Sequence, residues 1–96
     1  MRRPCVYIMA SAPFGTPYTG VTSNLAQRAR QHRDGVFGGF TNQYDCKLLV
    51  WCEYYDRMVD AIAREKQIKA GNRAKKVALV QSVNPKWNDL YDRLAL

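Results

Sequence analysis

Five residues of this 96-residue chain could do chemistry together: Tyr7, Tyr18, Arg28, His32 and Glu65. A phenol gives or takes a proton, and a guanidinium grips phosphate oxygens through its planar fork of donors. An imidazole relays protons near neutral pH, and a carboxylate holds a hard cation. Tyr7 lies in the apolar stretch Cys5-Val6-Tyr7-Ile8-Met9, and Tyr18 in Tyr18-Thr19-Gly20. The turn-rich segment Ser11-Ala12-Pro13-Phe14-Gly15-Thr16 separates them. Two short strands joined by that loop bring the phenols near each other. Either tyrosine alone is an ordinary strand residue. The pair, in a basic protein, points to phosphate chemistry.

The other three residues stand out by helix position. Leu25 and Ala29 mark an apolar seam, and Arg28 and His32, one turn apart, lie beside it. A second helix turns Met58, Ala61, Ile62 and Ile68 inward, and Glu65 falls inside that arc with Lys69 one turn on. A carboxylate there is costly unless it is paired, protonated or bound to a cation. Its plain role is an ion pair with Arg28 or Lys69; its functional role is a metal ligand or general base. The chain has only two glutamates, so an acidic composition does not explain the placement. Gly20 leaves space beside Tyr18 for a close-approaching ligand.

The elements that position these residues follow in order. Residues 4–10 and 17–22 read as strands, with Pro17 at a strand start. Ser23 or Asn24 caps a helix over 24–34 that Gly35 stops. Gly38-Gly39 mark a flexible loop through Asn42. Lys47 to Tyr54 reads as a strand with Leu48-Leu49-Val50-Trp51 at its centre. Asp56 caps a helix over 57–70 ending at Gly71, and Asn72 opens another to Val83. Pro85 starts a final short helix with Trp87, Leu90 and Leu94. The fold expected is α+β, within the α/β class. It has a small three-stranded antiparallel sheet flanked by helices, in the order β-β-α-β-α-α-α. Residues 1–96 form one domain.

The net charge of +7 and pI of about 9.6 point to a polyanionic partner, with nucleic acid leading. Positive charge gathers at Arg28, Arg30, His32 and Arg33, and again from Arg64 to Lys76. Neither segment has the large apolar face of a membrane-lying helix. Cys5, Cys46 and Cys52 form no Cys-x-x-Cys pair, and one histidine gives no zinc spacing, so they read as reduced, packed thiols. The apolar run Cys5 to Ala10 is shorter than the about 7–15 residues of a signal h-region. No run approaches the ~20 residues of a membrane span, and a cytoplasmic protein is expected.

Together these residues resemble the GIY-YIG nuclease superfamily, in particular its small single-domain bacterial members. Cys5-Val6-Tyr7 matches the first motif and Tyr18-Thr19-Gly20 the second. Arg28 and His32 match the following arginine and histidine. Arg64-Glu65-Lys66-Gln67-Ile68-Lys69 resembles the segment with the metal-binding glutamate, and 84–91 resembles this subgroup's C-terminal segment. Cys5 stands for the opening glycine, Thr19 for isoleucine, and Val21 where some members have lysine. The resemblance implies a metal-dependent endonuclease acting on DNA, with RNA not excluded, in repair or recombination. It implies one Mg²⁺ or Mn²⁺ on Glu65, phosphate held by Arg28, and Tyr7 or Tyr18 as general base. Lys69 and Asn84 are substrate-binding candidates, with Asn88 the alternative to Asn84. The rival reading is a nucleic-acid-binding module without cleavage. The sequence leaves oligomeric state open.

Overall fold

The computed structural model describes residues 3–35 and 46–94. Strand β1 (Cys5–Ala10) is the middle strand of a three-stranded sheet, between β2 (Pro17–Thr22) and β3 (Leu48–Tyr54). Both pairings are antiparallel. Every residue of β1 is buried, which is why its sequence is a continuous apolar run. Both sheet faces are covered, so an alternating polar pattern would be penalised on either side.

On one face Val6, Ile8 and Ala10 meet Ala61 and Ile68 of α2 (Met58–Ala70). Val80 of α3 (Arg73–Val83) and Trp87 complete that core. On the other face Cys5, Tyr7 and Met9 meet Leu25 and Ala29 of α1 (Leu25–Arg33), with Cys46 and Leu49. A bulge shifts the β1–β3 register between Ile8 and Met9, where Ile8 pairs Trp51 and Met9 pairs Leu49. The extra residue, Val50, joins Trp51 in the first core.

The caps follow local chemistry. Asn24 Oδ1 accepts from the Gln27 amide at 3.2 Å, and Asn72 Oδ1 from the Lys75 amide at 2.8 Å. Gly35, at φ 70°, takes the left-handed conformation past the end of α1. Asp56 does not cap α2. The cap residue is Arg57, without a side-chain bond, and Asp56 pairs with Arg3 at 3.6 Å. Ile62 is also not inward: it is 37% exposed. The expected Gly38-Gly39 loop lies outside the described residues.

The last element is a single 3₁₀ turn, Tyr91–Arg93, instead of a helix beginning at Pro85. Backbone bonds to β3 compete with helix formation here. The Asn84 side chain donates to Val50 O at 3.0 Å and Asn88 O at 2.9 Å, and accepts from the Asn88 amide at 3.1 Å. Asp89 Oδ1 accepts from the Leu49 amide at 3.1 Å, and the Leu90 amide donates to Leu49 O at 2.7 Å. The segment thus covers an open sheet edge. Trp87 remains fully buried, as its apolar bulk requires. No helix of the described residues is long and apolar enough to cross a membrane.

Candidate active site

The site begins on β1 and β2, whose pairing puts Tyr7 opposite Gly20 and Tyr18 opposite Met9. Both tyrosines lie on the sheet face that α1 covers. Tyr7 leans across β2: a Cβ added to Gly20 would sit 2.4 Å from the Tyr7 hydroxyl oxygen and 2.5 Å from Cζ. The space at Gly20 therefore belongs to the Tyr7 ring, not to a ligand beside Tyr18. Only a residue without a side chain lets the phenol cross its neighbouring strand this closely.

From there the Tyr7 hydroxyl reaches His32 Nε2 at 3.0 Å. The His32 ring meets Tyr7 at 5.5 Å between centroids and Tyr18 at 5.4 Å. One helix turn on α1 sets Arg28 and His32 on the same side, and that side faces the phenols. Tyr7 is 1% exposed and His32 5%, whereas Tyr18 and Arg28 are half-buried.

Burial decides the charge states. It pushes the Tyr7 phenol up to about 12, against the opposing pull of the Arg28 guanidinium through charge and a hydrogen bond. It pushes His32 down to about 4, with the Arg28 charge adding to the effect. At neutral pH the pair is a neutral phenol and a neutral imidazole. The hydroxyl and Nε2 share one hydrogen bond whose direction is set by the imidazole tautomer. The imidazole is not a source of positive charge here.

Glu65 approaches from α2, which lies across β1 and β2 on the opposite sheet face. Its side chain is only 15% exposed and pairs with Lys69 Nζ at 3.1 Å. Of the two partners the sequence offered, the structure gives Lys69. The same ammonium sits 5.8 Å from the centre of the Tyr18 ring. Lys69 thus joins the carboxylate to the tyrosine cluster around the β2 edge.

Asn84 is not brought to this cluster by its hydrogen bonds. It is 5% exposed, and its amide is engaged with Val50 and Asn88 on the β3 side. Cys5, at the motif's glycine position, is buried and donates to Val6 O at 3.3 Å. The neighbouring Cys52 thiol, together with burial, holds it protonated. Sequence reasoning passed over Phe14, which is half exposed on the β1–β2 loop. Its only sequence signal was an aromatic residue inside a turn.

Among the described residues, no group of three or more His, Cys, Asp or Glu is arranged to hold a metal. A single, mostly buried carboxylate suits a hard ion that keeps several waters and takes further oxygens from phosphate. The donor set at Glu65 therefore fits magnesium or manganese better than zinc.

The model of the GIY-YIG catalytic domain matches residues 3–78. A UPF0213 protein of Syntrophus aciditrophicus is 35% identical over 86 residues, covering 88% of this chain and 97% of its own. One of Natronomonas pharaonis is 37% identical over 75 residues, covering 78% and 87%. One of Desulfotalea psychrophila is 32% identical over 87 residues, covering 90% and 78%. No solved structure matches the chain.

Proposed function

The chain belongs to the GIY-YIG family, a nuclease family, and on that premise we propose that it is a divalent-metal-dependent endonuclease that hydrolyses phosphodiester bonds in DNA. The observation that carries this reading is the clustering of Tyr7, Tyr18 and Arg28 around His32, with Lys69 linking the Glu65 carboxylate to Tyr18. Packing alone gives no reason to set two phenols and a guanidinium around one imidazole and to tie a shielded carboxylate to one of those phenols through an ammonium.

The tyrosines have different roles. Deprotonating Tyr7 is opposed by its burial, so it works as a neutral phenol whose hydrogen bond fixes the His32 ring. Tyr18 is the phenol that water and substrate reach, with the Lys69 ammonium over its ring. Acting as the phenolate, it takes the proton from the attacking water and becomes the neutral phenol. Arg28 holds the scissile phosphate through its fork of donors. Glu65 would be the protein ligand to Mg²⁺ or Mn²⁺. When bound, the metal would supply charge stabilisation at the phosphoryl oxygens and the leaving 3′ oxygen. Lys69, now paired with Glu65, is the cation that would hold a phosphate oxygen beside it. Asn84 holds the C-terminal segment against β3 and supports the site only through the sheet.

The Glu65–Lys69 ion pair also favours a second reading, a binding module in which Glu65 is structural. The two readings separate in a cleavage assay on plasmid and oligonucleotide DNA with Mg²⁺ or Mn²⁺. The endonuclease reading requires cleavage that disappears in Glu65→Gln while folding and DNA binding persist. Salt-sensitive binding without cleavage supports the binding module.

A further inference from the structure

Phe14 is 50% exposed, yet its surroundings hold it still. Its backbone sits at φ 61°, a conformation costly for a bulky residue and free for glycine. Three bonds close the loop around it. The Ser11 amide donates to Thr16 O at 3.1 Å, the Thr16 amide to Ser11 Oγ at 2.9 Å, and the Gly15 amide to Ala12 O at 2.8 Å. From α3, Arg73 Nη2 donates to Phe14 O at 2.9 Å. The Phe14 ring packs at 5.4 Å and 33° against the buried Trp87 ring. Trp87 backs the phenyl ring on one side, and the remaining half of its surface faces solvent.

Its position relates it to the site. Pro17 and Ala10 pair at the mouth of the loop, and Tyr18 is the next residue in. Lys69 and Arg73 face this end of the hairpin from the corner between α2 and α3. Lys69 lies over Tyr18, and Arg73 is bonded to Phe14 O. An exposed aromatic ring therefore lies at the same end of the hairpin as two cations, Lys69 and Arg73. Cations for a backbone beside an aromatic platform for a base are the two parts of a single-strand binding surface. A paired base inside a duplex has no free face to offer. A peptide partner would gain nothing from the flanking positive charge unless it were acidic.

We propose that Phe14 is a stacking platform for an unpaired nucleobase whose neighbouring phosphate is held at Lys69 and Arg73, so that the protein prefers nucleic acid with an unpaired base there. This rests on the nuclease reading for its substrate and adds the residue that selects it. The test measures binding of the whole protein, in EDTA to prevent cleavage, to a fluorescein-labelled single-stranded DNA and to the blunt duplex of the same sequence. Three proteins are compared: wild type, Phe14→Gly and Phe14→Tyr. Glycine suits the left-handed backbone, so that variant keeps its loop, which a thermal melt checks. The expected result is a loss of about ten-fold in single-strand affinity for Phe14→Gly, the size of one lost base stack. Duplex affinity stays unchanged, and Phe14→Tyr keeps wild-type binding. Equal loss on both DNAs, or no loss on either, overturns the platform while leaving the nuclease reading intact. Failure of the wild type to bind either DNA overturns both.

Discussion

At the scale of single residues, the account turns on two phenols with unequal surroundings. Tyr18→Phe is expected to lower the single-turnover cleavage rate by about 10²–10⁴-fold, the usual worth of a positioned general base. Tyr7→Phe is expected to leave more activity and to cost stability, about 1–3 kcal/mol, because His32 Nε2 loses its hydrogen-bond partner in a buried place. Rates and urea unfolding of the two variants check both halves. Equal rate losses would remove the distinction. His32 adds a pH signature. Its folded value of about 4 lies below the ordinary 6.5, so the unfolded chain binds the proton first as pH falls. Its contribution is complete above about pH 6.5, declines below that, and is gone below about 4. Between pH 7.5 and 4.5 the wild type should lose about 2–3 kcal/mol more stability than His32→Gln. Parallel pH profiles would show that His32 is not held neutral by burial. These residues were legible in the sequence because motif and helix phase agreed on Arg28, His32 and Glu65. The split between the tyrosines was not legible. It depends on Tyr7 crossing to Gly20, and a strand pattern gives the face of a residue but not the lean of its ring.

At the scale of elements, the passage of the Tyr7 ring across β2 makes Gly20 a tightly constrained position of the hairpin. Gly20→Ala puts a methyl into the Tyr7 ring and is expected to cost about 1–3 kcal/mol, as overpacking does, while parting Tyr7 from His32. Urea unfolding reads the cost, and loss of the NOEs between the Tyr7 and His32 rings reads the parting. The strands and the first three helices were readable within a residue or so, since apolar runs, asparagine caps and glycine stops pointed one way. The segment after α3 was not. Pro85 carries a helix-start signal, but Asn84, Asp89 and Leu90 instead bond the backbone of β3. Local sequence holds no record of such a long-range partner. Asn84→Ala should therefore destabilise the fold by about 1–3 kcal/mol. The cleavage rate of the folded fraction should stay near wild type. A rate loss at full stability would return Asn84 to the substrate site.

At the scale of the whole molecule, the net charge of +7 sits on a small fold whose described residues carry the tyrosine cluster and a corner of lysine and arginine around one hairpin. Charge gives attraction to nucleic acid without choosing a sequence, so binding should weaken steeply as salt rises. The central claim is that this hairpin cuts, and that Glu65 holds the metal that allows it. The most direct measurement is cleavage of labelled DNA by wild type and Glu65→Gln across a Mg²⁺ titration, with DNA affinity measured in parallel. The account predicts Mg²⁺-dependent cutting by the wild type. It predicts a loss of at least about 10²-fold in Glu65→Gln, with DNA affinity retained, as expected when the metal's stabilisation of the reacting phosphate is removed. Equal cutting by both proteins, or wild-type cutting that ignores the metal, would contradict it.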